Sequence, residues 1–121
     1  MKQTTLVFGA SVKPARYAYK AIHALRSKQI DVKAFGLRAG EVADVTIETE
    51  LKPFKDIDTI TLYVNPKIQQ EYYEYFLSLK PNRIVFNPGT ENPELEQILH
   101  KHHIKAENAC TLVLLATNQY N

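Results

Sequence analysis

The chain is expected to fold as an α/β, Rossmann-like three-layer sandwich with a mostly parallel sheet and helices on both faces. Three observations predict this. Short β-favouring runs alternate with helix-period runs along the whole sequence. The first two strand-like runs each end at a glycine, Gly9 and Gly36. Two Asn-Pro pairs, Asn65-Pro66 and Asn92-Pro93, stand where helices should open. No linker, internal repeat or low-complexity tract divides the chain, so residues 1–121 read as one domain.

The first strand is the apolar run at residues 4–8, stopped by Gly9. A helix should follow over about residues 14–28, with Ala18, Ile22 and Leu25 at i, i+4 and i+7 and Pro14 in its first turn. Residues 32–35 form the second strand, closed by Gly36. Only residues 37–44 separate it from Val45-Thr46-Ile47, too few for a helical crossover, so this edge of the sheet should be short and irregular. Residues 51–56 should make a turn or a single helical turn. The β-branched run at 59–64 reads as an inner strand. Asn65 then caps a helix whose Ile68, Tyr72, Phe76 and Leu79 share one face, and Pro81 ends it. Residues 83–86 are the next strand. Asn92-Pro93 opens a helix with Glu94 and Glu96 at its positive end and Leu95, Ile98 and Leu99 as its buried stripe. A short strand near 104–107 and a terminal segment at 109–117 complete the order.

Composition narrows the function classes. Of 121 residues 45% are hydrophobic, which excludes a disordered chain. A net charge of +2 is too mild to point to nucleic acid. The single cysteine, Cys110, rules out an intramolecular disulfide and suits a reducing compartment. The longest apolar stretch, residues 112–116, is too short to span a bilayer, and residues 1–8 lead directly into a strand without a leader pattern. The expectation is a soluble cytoplasmic protein with no membrane and no nucleic-acid partner.

Doubly wound sheets bind ligands outside the carboxyl ends of their strands, where strand order reverses. Loops 9–13, 36–38, 64–66 and 87–92 should meet there. In Gly9-Ala10-Ser11-Val12-Lys13-Pro14-Ala15-Arg16, a glycine turn is followed by peptide amides, a hydroxyl and two cations, a set that suits phosphate. The full G-x-G-x-x-G fingerprint is absent, and the same residues would serve a plain strand-to-helix turn. Gly36-Leu37-Arg38 places an arginine where NAD enzymes usually carry an acid for the ribose hydroxyls. A guanidinium there favours a phosphorylated ribose, which leaves coenzyme A or, less well, NADP.

With these motifs in view, the chain resembles the small CoA-binding proteins related to the CoA-binding domain of the succinyl-CoA synthetase α subunit. The resemblance rests on Gly-Ala-Ser with proline and basic residues in the first loop, Val-Asn-Pro after the 59–64 strand and Asn-Pro-Gly after the 83–86 strand. It implies Gly9, Ala10, Ser11, Lys13 and Arg16 at a diphosphate, with Gly36, Leu37 and Arg38 near adenosine and its phosphate. Tyr63, Val64, Asn65 and Pro66 would lie along the ligand, and Asn87, Pro88 and Gly89 at its far end. The chain departs from the pattern at Gln29, where glycine is usual, and at Gly36-Leu37, where Asn-Pro is usual.

No nucleophile–base pair or paired carboxylates announce catalysis. The synthetase's phosphohistidine domain has no counterpart in the sequence, so no catalytic residue is assigned. His23 should be partly packed, and His100 and His103, an i, i+3 pair, lack a third ligand, so no metal is assigned. Cys110 reads as core. Tyr73 and Tyr75 fall off the helix stripe and should form its half-buried rim. The expected function is a non-catalytic module for CoA or an acyl-CoA. An NADP-dependent or acyl-CoA enzyme, and a ligand-free interaction module on the same fold, are the alternatives; a protein partner or a homodimer is left open.

Overall fold

The computed structural model describes residues 2–121. Its strands are β1 (Thr4–Phe8), β2 (Val32–Phe35), β3 (Gly40–Val42), β4 (Val45–Glu48), β5 (Ile57–Leu62), β6 (Arg83–Phe86) and β7 (Lys105–Asn108). Helices α1 (Tyr17–Ser27), α2 (Pro66–Gln69), α3 (Tyr73–Ser78), α4 (Pro93–Lys101) and α5 (Thr111–Ala116) alternate with them. The sheet order is β3-β4-β2-β1-β5-β6-β7, parallel throughout except for the β3–β4 pair. Val7 of β1 pairs with Ala34 on one side and Thr61 on the other, so β1 lies where strand order reverses.

The period-2 alternation of the strands assigns side chains to faces. Leu6, Phe8, Ile60, Leu62, Ile84 and Phe86 cluster with Phe76, Leu95 and Leu99, so α3 and α4 cover that face. Phe8 anchors it, stacked on Phe35 at 4.9 Å and edge-on to Phe76 at 4.9 Å. Val7, Ala34 and Ile47 cluster instead with Ala18, Ile22 and Leu25 of α1 and Leu114 and Leu115 of α5. Helices on both faces and a mostly parallel sheet are the architecture expected.

Two local expectations need correction. α1 starts at Tyr17, not Pro14, because residues 13–16 close a β-turn through Arg16 N–H to Lys13 O at 3.0 Å. Pro14 is therefore the second residue of a turn, where its fixed φ is equally welcome. The helix after Asn65 is broken into α2, a 3-10 turn (Gln70–Tyr72) and α3. The break rotates Ile68 outward and buries Gln69 in its place. Residues 51–56 take the turn rather than the helical turn, with Phe54 N–H donating to Lys52 O at 2.8 Å. The short edge at 37–44 is as expected, and its means is the β3–β4 hairpin. Asp44 in that hairpin's turn holds Arg26 of α1 through two oxygens, each at 2.8 Å.

α1, α3, α4 and α5 each end in a left-handed residue: Gln29 (φ 61), Lys80 (φ 50), His103 (φ 59) and Asn118 (φ 56). After α1 the bonds Ile30 N–H to Leu25 O (3.1 Å) and Gln29 N–H to Arg26 O (2.9 Å) complete a Schellman cap. Asn118 suits that position and the other three do not. We expect Gln29→Gly to stabilise the domain by about 0.5–1 kcal/mol in urea unfolding. An unchanged or lower midpoint would contradict the cap assignment.

Candidate functional site

A cleft of about 660 Å³ opens at the carboxyl ends of β1, β2 and β5. Of the residues anticipated from sequence, Gly9, Ala10, Ser11, Lys13, Arg16, Gly36, Leu37, Arg38, Tyr63, Val64, Asn65, Pro88 and Gly89 line it together. Pro66 and Asn87 do not. Phe8, Phe35, Val64, Ile68 and Tyr72 give the cleft an apolar wall.

Close backbone approach builds this mouth. Gly9 has φ 99, and a Cβ there would lie 3.1 Å from the Tyr63 carbonyl. A Cβ on Gly36 would lie 2.4 Å from Ala10 O, so only hydrogen lets the first two loops nest. The amides expected to face a phosphate are partly reassigned. Gly9 N–H (2.9 Å) and Ala10 N–H (2.8 Å) both donate to Phe35 O, which clamps the first loop to β2. Among the described residues, the amides of Ser11, Val12, Tyr17 and Ala18 donate to nothing in the chain. Ser11 Oγ accepts the Lys13 amide at 3.1 Å.

The contrast between helices is informative. Asn65 Oδ1 accepts the Ile68 amide at 3.0 Å, and Asn92 Oδ1 accepts the Leu95 amide at 3.1 Å. The Arg16 side chain provides no such cap for α1, an eleven-residue helix whose amino end lines the cleft. Its positive pole is open to an anion. Around it stand Lys13, Arg16 and Arg38, all exposed and, among the described residues, in no ion pair. The apolar rim is also exposed: Leu37 is 91% and Tyr17 67% accessible. Tyr63 lines the cleft, and burial beside Thr61 and Thr111 pushes its phenol up to about 12.

Behind the far loops lies a buried polar network that sequence reasoning missed. Asn87 Nδ2 donates to Thr61 Oγ1 (2.7 Å) and Leu62 O (2.9 Å), while its Oδ1 accepts the Thr111 amide (2.9 Å). At 3% exposure Asn87 is thus a tie between β5, β6 and α5, not a wall residue. Gln69, Thr61, Thr90 and Thr111 are all buried and hydrogen-bonded here. Only the cap role of Asn92 was legible.

The remaining candidates settle as follows. His23 is exposed, its ring 4.8 Å from Tyr19. Among the described residues no three His, Cys, Asp or Glu side chains converge as a metal site. Cys110 is half-buried at the start of α5, not fully core. Tyr73 and Tyr75 form a half-buried rim: Tyr73 OH donates to Glu94 at 3.0 Å and Tyr75 OH to Lys52 O at 2.6 Å. A second depression, about 720 Å³, lies between α4 and β7 and shares no residue with the cleft. It does not include the uncapped amino end of α1 or the first loop. No described helix is long and apolar enough to cross a membrane.

The pattern described as "CoA binding domain" matches residues 3–116. No curated protein matches the chain. Among solved structures, an uncharacterized protein shares 44% identity at a TM-score of 0.94, with 98% of each chain covered. A hypothetical protein from Pyrococcus horikoshii OT3 is 25% identical, with a TM-score of 0.82 over 99% of this chain and 84% of its own. A Thermus thermophilus protein at 21% identity and a TM-score of 0.85 covers 98% of this chain and 90% of its own, and shows the fold alone.

Proposed function

The chain belongs to the CoA-binding domain family, and from that premise we propose that residues 1–121 form a non-catalytic module holding coenzyme A or an acyl-CoA in the cleft. The uncapped amino end of α1 carries this reading. Its open amides and those of Ser11 and Val12 supply donors for a diphosphate, and Lys13 and Arg16 supply charge. Arg38, at the tip of β2, is proposed to pair with the ribose phosphate, and the apolar wall from Phe35 to Tyr72 to flank the rest. When bound, CoA supplies a thiol or thioester. Among the described residues the cleft wall holds no Asp, Glu, His or Cys, which supports carriage over turnover. Its open volume favours an occupied site over a ligand-free interaction module. A cytoplasmic location is part of the same proposal.

Isothermal titration with CoA, dephospho-CoA, NADP and NAD tests it. CoA should bind most tightly. Arg38→Ala should weaken CoA by about 1.5–3 kcal/mol, the worth of a charged hydrogen bond, and leave dephospho-CoA unchanged. Absence of any heat with millimolar CoA would overturn the proposal. Equal losses for CoA and dephospho-CoA would remove Arg38 from the phosphate.

A further inference from the structure

We infer that Gln69 is a positioning residue that sets the width of the far end of the cleft. The inference rests on the CoA reading, under which that end flanks the pantetheine arm. Gln69 is wholly buried and does not line the cleft, so it acts through its neighbours. Its Nε2 donates to two carbonyls, Val64 O and Thr90 O, each at 2.8 Å. Val64 and Thr90 belong to different loops, after β5 and after β6, and both line the cleft. One planar amide therefore ties the two walls at a fixed separation.

The amide itself is held in place. Its Oε1 accepts Asn92 Nδ2 at 2.9 Å, and Asn92 Nδ2 also donates to Tyr73 OH at 2.9 Å. Asn92 Oδ1 is committed to the Leu95 amide, so the cap of α4 orients the whole chain of bonds. Both hydrogens and the oxygen of Gln69 are used, which leaves one orientation of the amide satisfied. A buried network with every member paired is rigid. The walls along the arm are thus preorganised rather than closed on the ligand.

The nucleotide end is built by other elements: loop 9–13, the start of α1 and Gly36 to Arg38. Loosening Gln69 should therefore separate the two ends of the ligand. The test compares Gln69→Met with Asn92→Ser, which keeps a cap for α4 but removes the partner of Gln69 Oε1. Each is titrated with CoA and with its nucleotide fragment, 3′-phosphoadenosine 5′-diphosphate, which lacks the arm. CoA affinity should fall about tenfold while the fragment stays within about twofold of wild type. Equal losses of both ligands, or no loss in either variant, overturn the positioning role. Failure of wild-type protein to bind CoA or the fragment overturns the CoA reading instead. Should Gln69→Met not fold, Asn92→Ser decides by the same ratio.

Discussion

Asn87→Ala is expected to lower the unfolding free energy by about 3–5 kcal/mol, because it strands buried polar groups on β5 and α5. Two of its partners have nowhere else to turn. The Leu62 carbonyl and the Thr111 amide lose their only recorded side-chain partner, and both residues are fully buried. Thr61 suffers less, since its hydroxyl keeps Thr111 Oγ1 at 2.8 Å. Against a typical total of about 5–15 kcal/mol this is a large loss, and the melting midpoint should drop by about 10–15 °C. Asn87→Asp separates polarity from shape. It keeps an acceptor for the Thr111 amide but turns an oxygen toward the Leu62 carbonyl, so burial should hold its carboxyl above the usual aspartate range. A carboxyl whose folded pKa is raised contributes stability that is present below the unfolded value, near 4, and lost as pH rises through the folded value. The Asp variant should therefore melt higher at pH 4 than at pH 7 relative to wild type. If both variants melted like wild type, Asn87 would be free to face the cleft after all, as its motif had suggested.

The misassignment of Asn87 shows where sequence reasoning stops. Strand alternation, helix periodicity and the two asparagine caps are decided by residues within four positions of each other, so β1, β5, β6 and α4 could be read directly. The meeting of Lys13, Arg16 and Arg38 at one mouth was also legible, because topology alone brings the carboxyl ends of adjacent parallel strands together. Hydrogen-bond partners were another matter. Gln69 pairs with a carbonyl 21 positions away and Thr61 with a hydroxyl 50 away, and neither spacing has a periodic signature. Gln69 stands beside the expected stripe residue Ile68, and the 3-10 turn that breaks this helix leaves no mark in composition. Pro14 misled for a different reason. A first helical turn and the second position of a β-turn both want φ near −65°, so proline could not tell them apart. The consequence reaches the site: moving the start of α1 to Tyr17 exchanges which amides are open to an anion.

Gly36→Ala should act on that site and on stability at once. A Cβ there would sit 2.4 Å from Ala10 O and 3.2 Å from Ile47 Cγ2, so it meets backbone on one side and core on the other. The loop cannot simply retreat, because Gly9 and Ala10 are both hydrogen-bonded to Phe35 O and Gly36 itself donates to Glu48 O at 3.0 Å. Either the clamp breaks or β2 shifts against β4, at a cost of about 2–4 kcal/mol. Gly40→Ala provides the control. Its Cβ would meet Val12 Cγ1 at 2.5 Å, but that is the tip of an exposed side chain with room to rotate. Urea unfolding should rank Gly36→Ala well below Gly40→Ala. Under the CoA reading, the displaced first loop should also cost Gly36→Ala about 100-fold in CoA affinity, since misplacing the diphosphate donors by an ångström suffices. Equal stability and equal affinity in the two variants would mean that the first loop yields freely. The open amides of Ser11 and Val12 would then not be held in place by the packing of Gly36 against Ala10.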